Sequence, residues 1–222
     1  MELSYLGHSG FSVRIGGKHV LFDPWLSKDS KTPRRVPPAA SASQFRDVDA
    51  VFVSHEHFDH RDPATLEHVV TRNMCQLIAP RETLEGLNVP ERLKMAVSEG
   101  ERFTIQGMDA HVMPAKHPQS VHSVGYIVTV GGQSVYHSGD TYDFFDLSRV
   151  VADVGLLPIG GTYTMDVLGA VTAIKRMRLK HVVPMHYNTF DNIQADPKDF
   201  ASRVKQTKTV PHVMQPGESL EI

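Results

Sequence analysis

The stretch Ser54-His55-Glu56-His57-Phe58-Asp59-His60 directly follows the apolar run Ala50-Val51-Phe52-Val53. Three imidazoles and the carboxylate of Asp59 lie within six residues of each other. Neutral imidazole and carboxylate are the ligands that zinc and similar divalent metals prefer. A short β-type run that ends in such residues is typical of a strand that brings a metal site to a sheet edge. The alternative is a polar loop with chance histidines, and the density of the cluster argues against it.

The size and composition of the chain indicate a globular protein. It has 222 residues, a formal net charge of −2, 41% hydrophobic residues and 22% charged residues. This length suits one large α/β unit, and we expect a single domain over residues 1–222. Because there is no basic excess, we expect no nucleic-acid partner. The sequence leaves open whether the chain forms a homo-oligomer.

The cysteine content and the apolar runs bear on the location of the protein. Cys75 is the only cysteine, so the chain cannot form an intramolecular disulfide, which fits a reducing compartment. No run approaches the length that spans a membrane, and the N-terminus lacks a cationic region followed by an apolar segment. We therefore expect a cytoplasmic protein without a membrane partner.

Alternating strands and helices run through both halves of the chain. Residues 11–15 and 19–23 flank Gly16-Gly17 and predict a hairpin. Further strands are predicted at 51–53, 77–79, 102–105, 109–113, 124–130, 134–137, 154–159 and 181–183, with two short ones in 210–222. Helices are predicted at 63–70, with Asp62 as N-cap, at 166–177 and at 196–205, with a helical turn at 81–85. This order predicts an α/β fold, with two similar sheets packed face to face and helices outside.

An aperiodic polar stretch at residues 27–43 predicts a loop with Lys31, Arg34 and Arg35. These cations are expected to be solvated, and contact with an anionic substrate is the alternative.

More ligand-type residues follow other apolar runs. His117 follows residues 112–116, Asp140 follows 135–139, and His186 follows 182–185. With the first cluster they supply five imidazoles and two carboxylates. Two metals that share Asp140 are the economical arrangement, because paired ions ~3.5–4 Å apart can clamp the oxygens of a substrate.

The ordered set His55-x-His57-x-Asp59-His60, His117, Gly139-Asp140-Thr141 and His186 resembles the motif series of the metallo-β-lactamase-fold hydrolase superfamily. The resemblance covers essentially the whole chain. More narrowly, residues 6–11, 22–26, 158–161 and 184–190 are similar to the UPF0173 group of predicted metal-dependent hydrolases. That group in turn resembles the ascorbate-phosphate lactonases. The resemblance implies a four-layer αββα sandwich.

The resemblance also implies two divalent metal ions per chain, zinc first, with manganese, iron and nickel as alternatives. It implies that His55, His57 and His117 hold one ion, that Asp59, His60 and His186 hold the other, and that Asp140 bridges them. The implied activity is attack by a metal-activated hydroxide on a small ester, lactone or phosphodiester, with Asp59 as a catalytic residue that orients the water or moves its proton. The alternative function is a metal-dependent metabolite-binding or sensor protein without turnover.

Four residues near the motifs are predicted substrate contacts: His8, His122, Gly161 and Tyr187. A structural turn is the alternative for His8 and Gly161. His137 is interpreted as a strand histidine that faces a helix, with support of a metal ligand as the alternative. Asp23 either supports the metal ligands or caps the turn that follows it.

Overall fold

The computed structural model describes residues 1–28 and 33–222. Two sheets of seven strands each form within these residues. The first contains β1 (Glu2–Gly7), β2 (Gly10–Ile15), β3 (Lys18–Phe22), β4 (Ala50–Phe52), β5 (Gln76–Ala79), β6 (Lys94–Ala96) and the last strand, β14 (Ser219–Glu221). The second contains β7 (Arg102–Ile105), β8 (Met108–Pro114), β9 (Val124–Val130), β10 (Gln133–His137), β11 (Val151–Pro158), β12 (Arg178–Met185) and β13 (Val210–Pro211).

The two sheets repeat one topology. In the first, the strand order is β14-β1-β2-β3-β4-β5-β6; in the second it is β13-β12-β11-β10-β9-β8-β7. One half of each sheet is antiparallel: β14, β1, β2 and β3 in the first sheet, and β7, β8, β9 and β10 in the second. The other half is parallel and contains β3 to β6 in the first sheet and β10 to β13 in the second. The carboxyl ends of β3, β4, β10, β11 and β12 are followed by the residues predicted to carry chemistry.

Four α-helices lie among the described residues: α1 (Pro63–Asn73), α2 (Arg81–Leu84), α3 (Val167–Arg176) and α4 (Pro197–Val204). Short 3-10 turns occupy Ala42–Gln44, Glu91–Leu93 and Phe145–Arg149. Helix α1 begins where predicted, with Asp62 as N-cap and Pro63 in the first turn, and continues three residues beyond the predicted end at residue 70. Asn73 stabilises this last turn, because its Nδ2 donates to the carbonyl of Val69 at 2.8 Å.

Three hydrophobic clusters account for the layers. The central one joins both sheets, as in the packing of Phe22 and Phe52 with Tyr126 and Leu156. The second lies between the first sheet and α1, and the third between the second sheet and helices α3 and α4. The predicted four-layer αββα sandwich is therefore confirmed. No helix among the described residues combines the length and apolar character needed to cross a membrane.

The position of His137 differs from its prediction. Along β10 the side chains alternate between the two faces of the sheet. Val135 lies in the central cluster, and Tyr136 lies in the cluster between the second sheet and helices α3 and α4. His137 consequently points between the sheets and stacks on Phe22, with ring centroids 5.2 Å apart. The prediction that His137 faces a helix was wrong, because the parity of the strand assigns it to the inner face.

Candidate metal centre

The loop after β4 carries the first group of candidate ligands. The carbonyl of His57 accepts the backbone N–H groups of His60 at 3.0 Å and Arg61 at 2.7 Å, so the chain turns tightly here. His55 and His60 are fully buried, whereas His57 is half-buried. The turn gathers several side chains at the end of a single strand.

The structure brings all seven sequence-predicted ligands together. Three groups have ligand atoms that lie within 4.8 Å of one another: His55, His57 and His117; His55, His60 and Asp140; and His8, Asp59, His60 and His186. The carboxyl ends of β4, β10 and β12 lie at one edge of the sandwich, and His117, which follows β8, reaches the same edge.

Asp140 lies between two sets of imidazoles. Its Oδ2 is 3.0 Å from His186 Nε2, and its Oδ1 is 3.3 Å from His60 Nε2. The same Oδ2 is 3.9 Å from Nε2 of both His55 and His117. A single carboxylate thus faces both halves of the cluster.

The hydrogen bonds of the imidazoles define which nitrogen is available. His57 Nε2 donates to the carbonyl of Gln119 at 3.1 Å, and His117 Nδ1 donates to the carbonyl of Tyr163 at 3.2 Å. In each ring the other nitrogen then carries a lone pair, and these two atoms are 3.3 Å apart. This is the arrangement that metal-ligating histidines adopt.

Asp23 supports two further rings from behind. Its Oδ2 accepts from His60 Nδ1 at 2.6 Å and from the Ser54 hydroxyl at 2.6 Å, and Oδ1 accepts from the Ser54 backbone N–H at 2.7 Å. Since the Ser54 hydroxyl donates to Asp23, it accepts from His55 Nδ1 at 2.8 Å. His55 Nε2 and His60 Nε2 therefore face the centre. Of the two roles considered for Asp23, these contacts correspond to support of the candidate ligands.

Burial and charge set the protonation of the cluster. Burial lowers the pKa of His55 well below its ordinary value, and the nearby His60 lowers it further. Burial opposes the charge of His60, but Asp140 and Asp23 outweigh it and raise the pKa of His60 well above the usual value. Burial likewise opposes ionisation of Asp140, yet His186 and His60 hold its pKa well below the ordinary range. Protons and metal ions therefore compete for the same electron-rich pocket.

The residues fit a metal. Among the described residues, His60 Nε2 and Asp140 Oδ1 are buried without a hydrogen-bond partner, although they lie 3.3 Å apart. A buried polar atom without a partner costs roughly 1–3 kcal/mol. A divalent cation beside this pair would satisfy both atoms, and the imidazole and carboxylate donor set is one that such cations accept.

His8 is a member of the cluster that the sequence did not identify as such. Its Nε2 is 3.1 Å from Asp59 Oδ2, and its ring centroid is 4.2 Å from that of His186. The side chain is buried, and burial together with His186 lowers its pKa to about 4. His8 was predicted to touch substrate, but it lies beneath Asp59 because the turn after β1 directs it inward. The turn Gly7-His8-Ser9-Gly10 is the sequence feature that could have indicated this inward position of His8.

The other predicted substrate contacts do not reach the cavity over the ligands. His122 Nδ1 lies 3.5 Å from Glu82 Oε2, beside α2. Tyr187 lies with Phe200 in the cluster between the second sheet and helices α3 and α4. The chain turns at His186, where φ is 54°, and this turn directs the side chain of Tyr187 away from the cavity. Gly161, at φ 69°, donates its N–H to the carbonyl of Met165 at 3.0 Å and forms a tight turn. These contacts explain why none of the three lines the cavity.

A cavity of about 690 Å³ opens over the cluster. Its floor consists of His57, Asp59, His117, Asp140 and His186, and its sides include Arg34, Arg35, Phe58, Tyr163, Phe190 and Ile193. Of the predicted loop cations, Arg34 stacks over the ring of Trp25 at 3.8 Å, and Arg35 pairs with Asp191. Lys31 lies outside the described residues. A larger cleft of about 870 Å³, around Lys175 and Lys208, contains none of the candidate ligands.

Comparison with known proteins agrees with this geometry. The family model described as a β-lactamase superfamily domain matches residues 2–186. A UPF0173 metal-dependent hydrolase of Pyrococcus furiosus is 34% identical over the full length of both chains, and one of Pyrobaculum aerophilum is 32% identical, also over both full lengths. The solved structure of Igni18, a metallo hydrolase of Ignicoccus hospitalis, is 31% identical, with a TM-score of 0.79 over 100% of this chain and 98% of that one.

The fold and the site thus define a member of the β-lactamase superfamily. Within it, the chain belongs to the UPF0173 family of metal-dependent hydrolases. The family resemblance predicted from the motifs is confirmed, and with it the class of enzyme.

Proposed function

We propose that the protein hydrolyses a small ester, lactone or phosphodiester with two divalent metal ions in the candidate centre, zinc being the first choice. The position of Asp140 carries this proposal. Its carboxylate lies 3.0 and 3.3 Å from His186 and His60, and 3.9 Å from His55 on the other side. One carboxylate between two sets of imidazoles is the donor arrangement that a pair of ions requires.

The proposed ligand sets follow the two sides of Asp140. One ion would be held by His55, His57 and His117, and the other by Asp59, His60 and His186, with Asp140 shared. When bound, such ions lower the pKa of a water to about 7 and polarise the bond under attack. Manganese, iron and nickel accept the same ligands, and elemental analysis of the purified protein distinguishes them from zinc.

Asp59 is the proposed catalytic residue. Burial opposes its ionisation, but the hydrogen bond from His8 and the charge of His60 hold its pKa below the ordinary value. Its ionised carboxylate lines the cavity and can accept a hydrogen bond from the attacking water, which orients that water. His8, 3.1 Å away, positions one oxygen of that carboxylate.

A panel of p-nitrophenyl esters, aryl lactones and bis-p-nitrophenyl phosphate tests the proposal. The protein is stripped with a chelator and reloaded with zinc or manganese before the assay. We expect two metals per chain, and turnover that is lost on stripping and restored on reloading. A metal-loaded protein that binds a metabolite tightly but turns over no member of the panel would favour the sensor function instead.

A further inference from the structure

Three aromatic side chains stand beside the metal centre with much of their surface uncovered. Phe58 is 52% exposed and Tyr163 is 42% exposed, and both line the cavity together with the half-buried Phe190. We call these three residues the aromatic wall. Exposed large apolar groups next to a polar, concave site are typical of a ligand-binding surface rather than of an ordinary protein exterior.

Two residues of the wall are held in place from behind. The ring of Phe58 packs edge-on against Trp25, with centroids 5.7 Å apart, and Phe190 lies 5.8 Å from the same indole. Trp25 itself is buried and has the Arg34 guanidinium on its face at 3.8 Å. Phe58 and Phe190 are therefore fixed on one side by packing, while they remain open to the cavity on the other.

The chain places the wall directly beside the reacting groups. Phe58 lies between His57 and Asp59 in sequence, and His117 donates to the carbonyl of Tyr163. Three charged residues of the surrounding loops also line the cavity. Arg35 and Asp191 pair with each other, and the Arg34 guanidinium lies over the ring of Trp25. The aromatic side chains therefore supply an apolar side to the cavity, beside an ion pair whose charges largely neutralise each other.

We propose that the substrate carries an apolar acyl or aryl group next to the bond that is cleaved, and that the aromatic wall binds this group. Phe58 is then a specificity-determining residue. The inference rests on the proposed hydrolytic function, because it describes the part of the substrate adjoining the centre. Burial of each methylene contributes about 0.8 kcal/mol, which corresponds to about a fourfold gain in affinity.

The single tryptophan of the chain makes the test direct. Trp25 contacts two residues of the wall, so its fluorescence reports ligands that enter the cavity. The metal-loaded protein is titrated with acetate, butyrate, hexanoate and phenylacetate, which share one carboxylate and differ in apolar size. We expect Kd to fall about three- to fourfold per added methylene. A series with equal Kd values would overturn the inference.

Variants test whether the aromatic wall causes the dependence of Kd on ligand size. Calorimetry is used for them, because replacing Phe58 changes the surroundings of Trp25. Phe58→Ala is expected to reduce the dependence of Kd on chain length, and Phe58→Leu to keep most of it. Phe145→Ala is the matched control, since Phe145 is 76% exposed and does not line the cavity. An unchanged dependence in Phe58→Ala would overturn the assignment to this residue.

The same series separates the two proposals when p-nitrophenyl esters of these acids are assayed in parallel. Graded binding without turnover would remove the proposed hydrolysis of esters and support the apolar pocket. Turnover with no dependence on the acyl group, in binding or in kcat/KM, would support hydrolysis and overturn the pocket.

Discussion

At the scale of the residue, one carboxylate is central to the proposed chemistry. Asp140 is buried and follows β10, where the positive φ of Gly139, 57°, allows the sharp change of direction. A Cβ at Gly139 would lie 2.6 Å from the carbonyl oxygen of Val124, so the backbone can approach this closely only without a side chain. Both backbone and side chain are thus adapted to place Asp140 between the imidazoles.

The variant Asp140→Ala tests this placement. For the proposed pair of ions that share Asp140, we expect metal content to fall at both proposed sites, from two ions towards fewer than one per chain, because each ion would lose the shared ligand. Elemental analysis of dialysed protein measures it. Asp146→Ala removes a carboxylate that pairs with Arg149 on the surface and is the control. Two ions retained per chain in Asp140→Ala would refute the bridging role.

At the scale of the element, Glu56 ties two loops of the centre together. Its Oε2 accepts from the Ser120 hydroxyl at 2.7 Å, and its Oε1 accepts from the Val121 backbone N–H at 2.8 Å. These bonds connect the loop after β4 to the loop that follows β8 and carries His117. Glu56 lies between the candidate ligands His55 and His57, yet it faces outward to this second loop.

Glu56→Ala is therefore expected to weaken metal binding at the site that includes His117, by about tenfold, the lower end of the range for residues that orient ligands. Glu56→Gln keeps one side-chain oxygen and the shape of the side chain. Its metal affinity is expected to stay within about twofold of that of the parent protein, since the amide oxygen still accepts from the backbone N–H of Val121. Competition with a chromophoric chelator measures the affinities. Equal losses in the two variants would contradict a role for the hydrogen bonds of Glu56 in positioning His117.

The N-cap of α1 illustrates how a local signal acquires a wider role. Asp62 accepts from the hydroxyl of Thr65 at 2.6 Å, and also from the backbone N–H groups of Leu26 at 3.0 Å and Ser27 at 2.8 Å. The same carboxylate thus begins the helix and fastens the segment after β3 to it. Asp166 begins α3 more simply, with one bond of 2.7 Å from the backbone N–H of Gly169.

This difference predicts unequal stability losses. Asp62→Ala is expected to cost about 3 kcal/mol of unfolding free energy, because buried donors lose their acceptor in addition to the cap. Asp166→Ala is expected to cost about 1 kcal/mol, the usual value for a helix cap. Urea unfolding of the metal-free proteins provides both numbers. Equal unfolding free energies of the two variants would contradict the wider role of Asp62.

At the scale of the whole molecule, the close-packed layers suppress ionisation of groups that they bury. Burial raises the pKa of the Cys75 thiol, from an ordinary value of 9.0 to about 12. It also raises the pKa of Tyr187, from 10.0 to about 12. Both groups are neutral in the fold at pH values where the unfolded chain would already ionise.

Alkaline stability follows from these shifts. A group whose pKa is higher in the folded state contributes its full stability below the unfolded pKa and loses it as pH rises towards the folded one. For Cys75 this window runs from pH 9.0 to about 12. We expect the unfolding free energy, measured by urea at pH 8, 10 and 11.5, to fall across it. Cys75→Ala should show a smaller fall, and an identical fall in both proteins would contradict the assignment to the thiol.

The candidate ligands were predictable because they share a local rule. His117, Asp140 and His186 each follow an apolar run. They come after β8, β10 and β12, which run in the same direction, so the carboxyl ends of these strands lie at one edge of the second sheet. The same reasoning failed for His137, because strand parity depends on which face the adjacent residues bury. It also failed for Tyr187, whose direction is set by the turn at His186.

Sequence alone determined the chemical character of this protein: the types and order of the candidate ligands, the helix caps and the alternation of strands and helices. These are properties of single residues and their near neighbours, so short stretches of chain carry them. Only the tertiary structure decided that His8 contacts Asp59, and that Phe58, Tyr163 and Phe190 line one cavity. These arrangements bring together residues that are tens to more than a hundred positions apart in the sequence. Their distances depend on how two whole sheets pack, which no local pattern encodes.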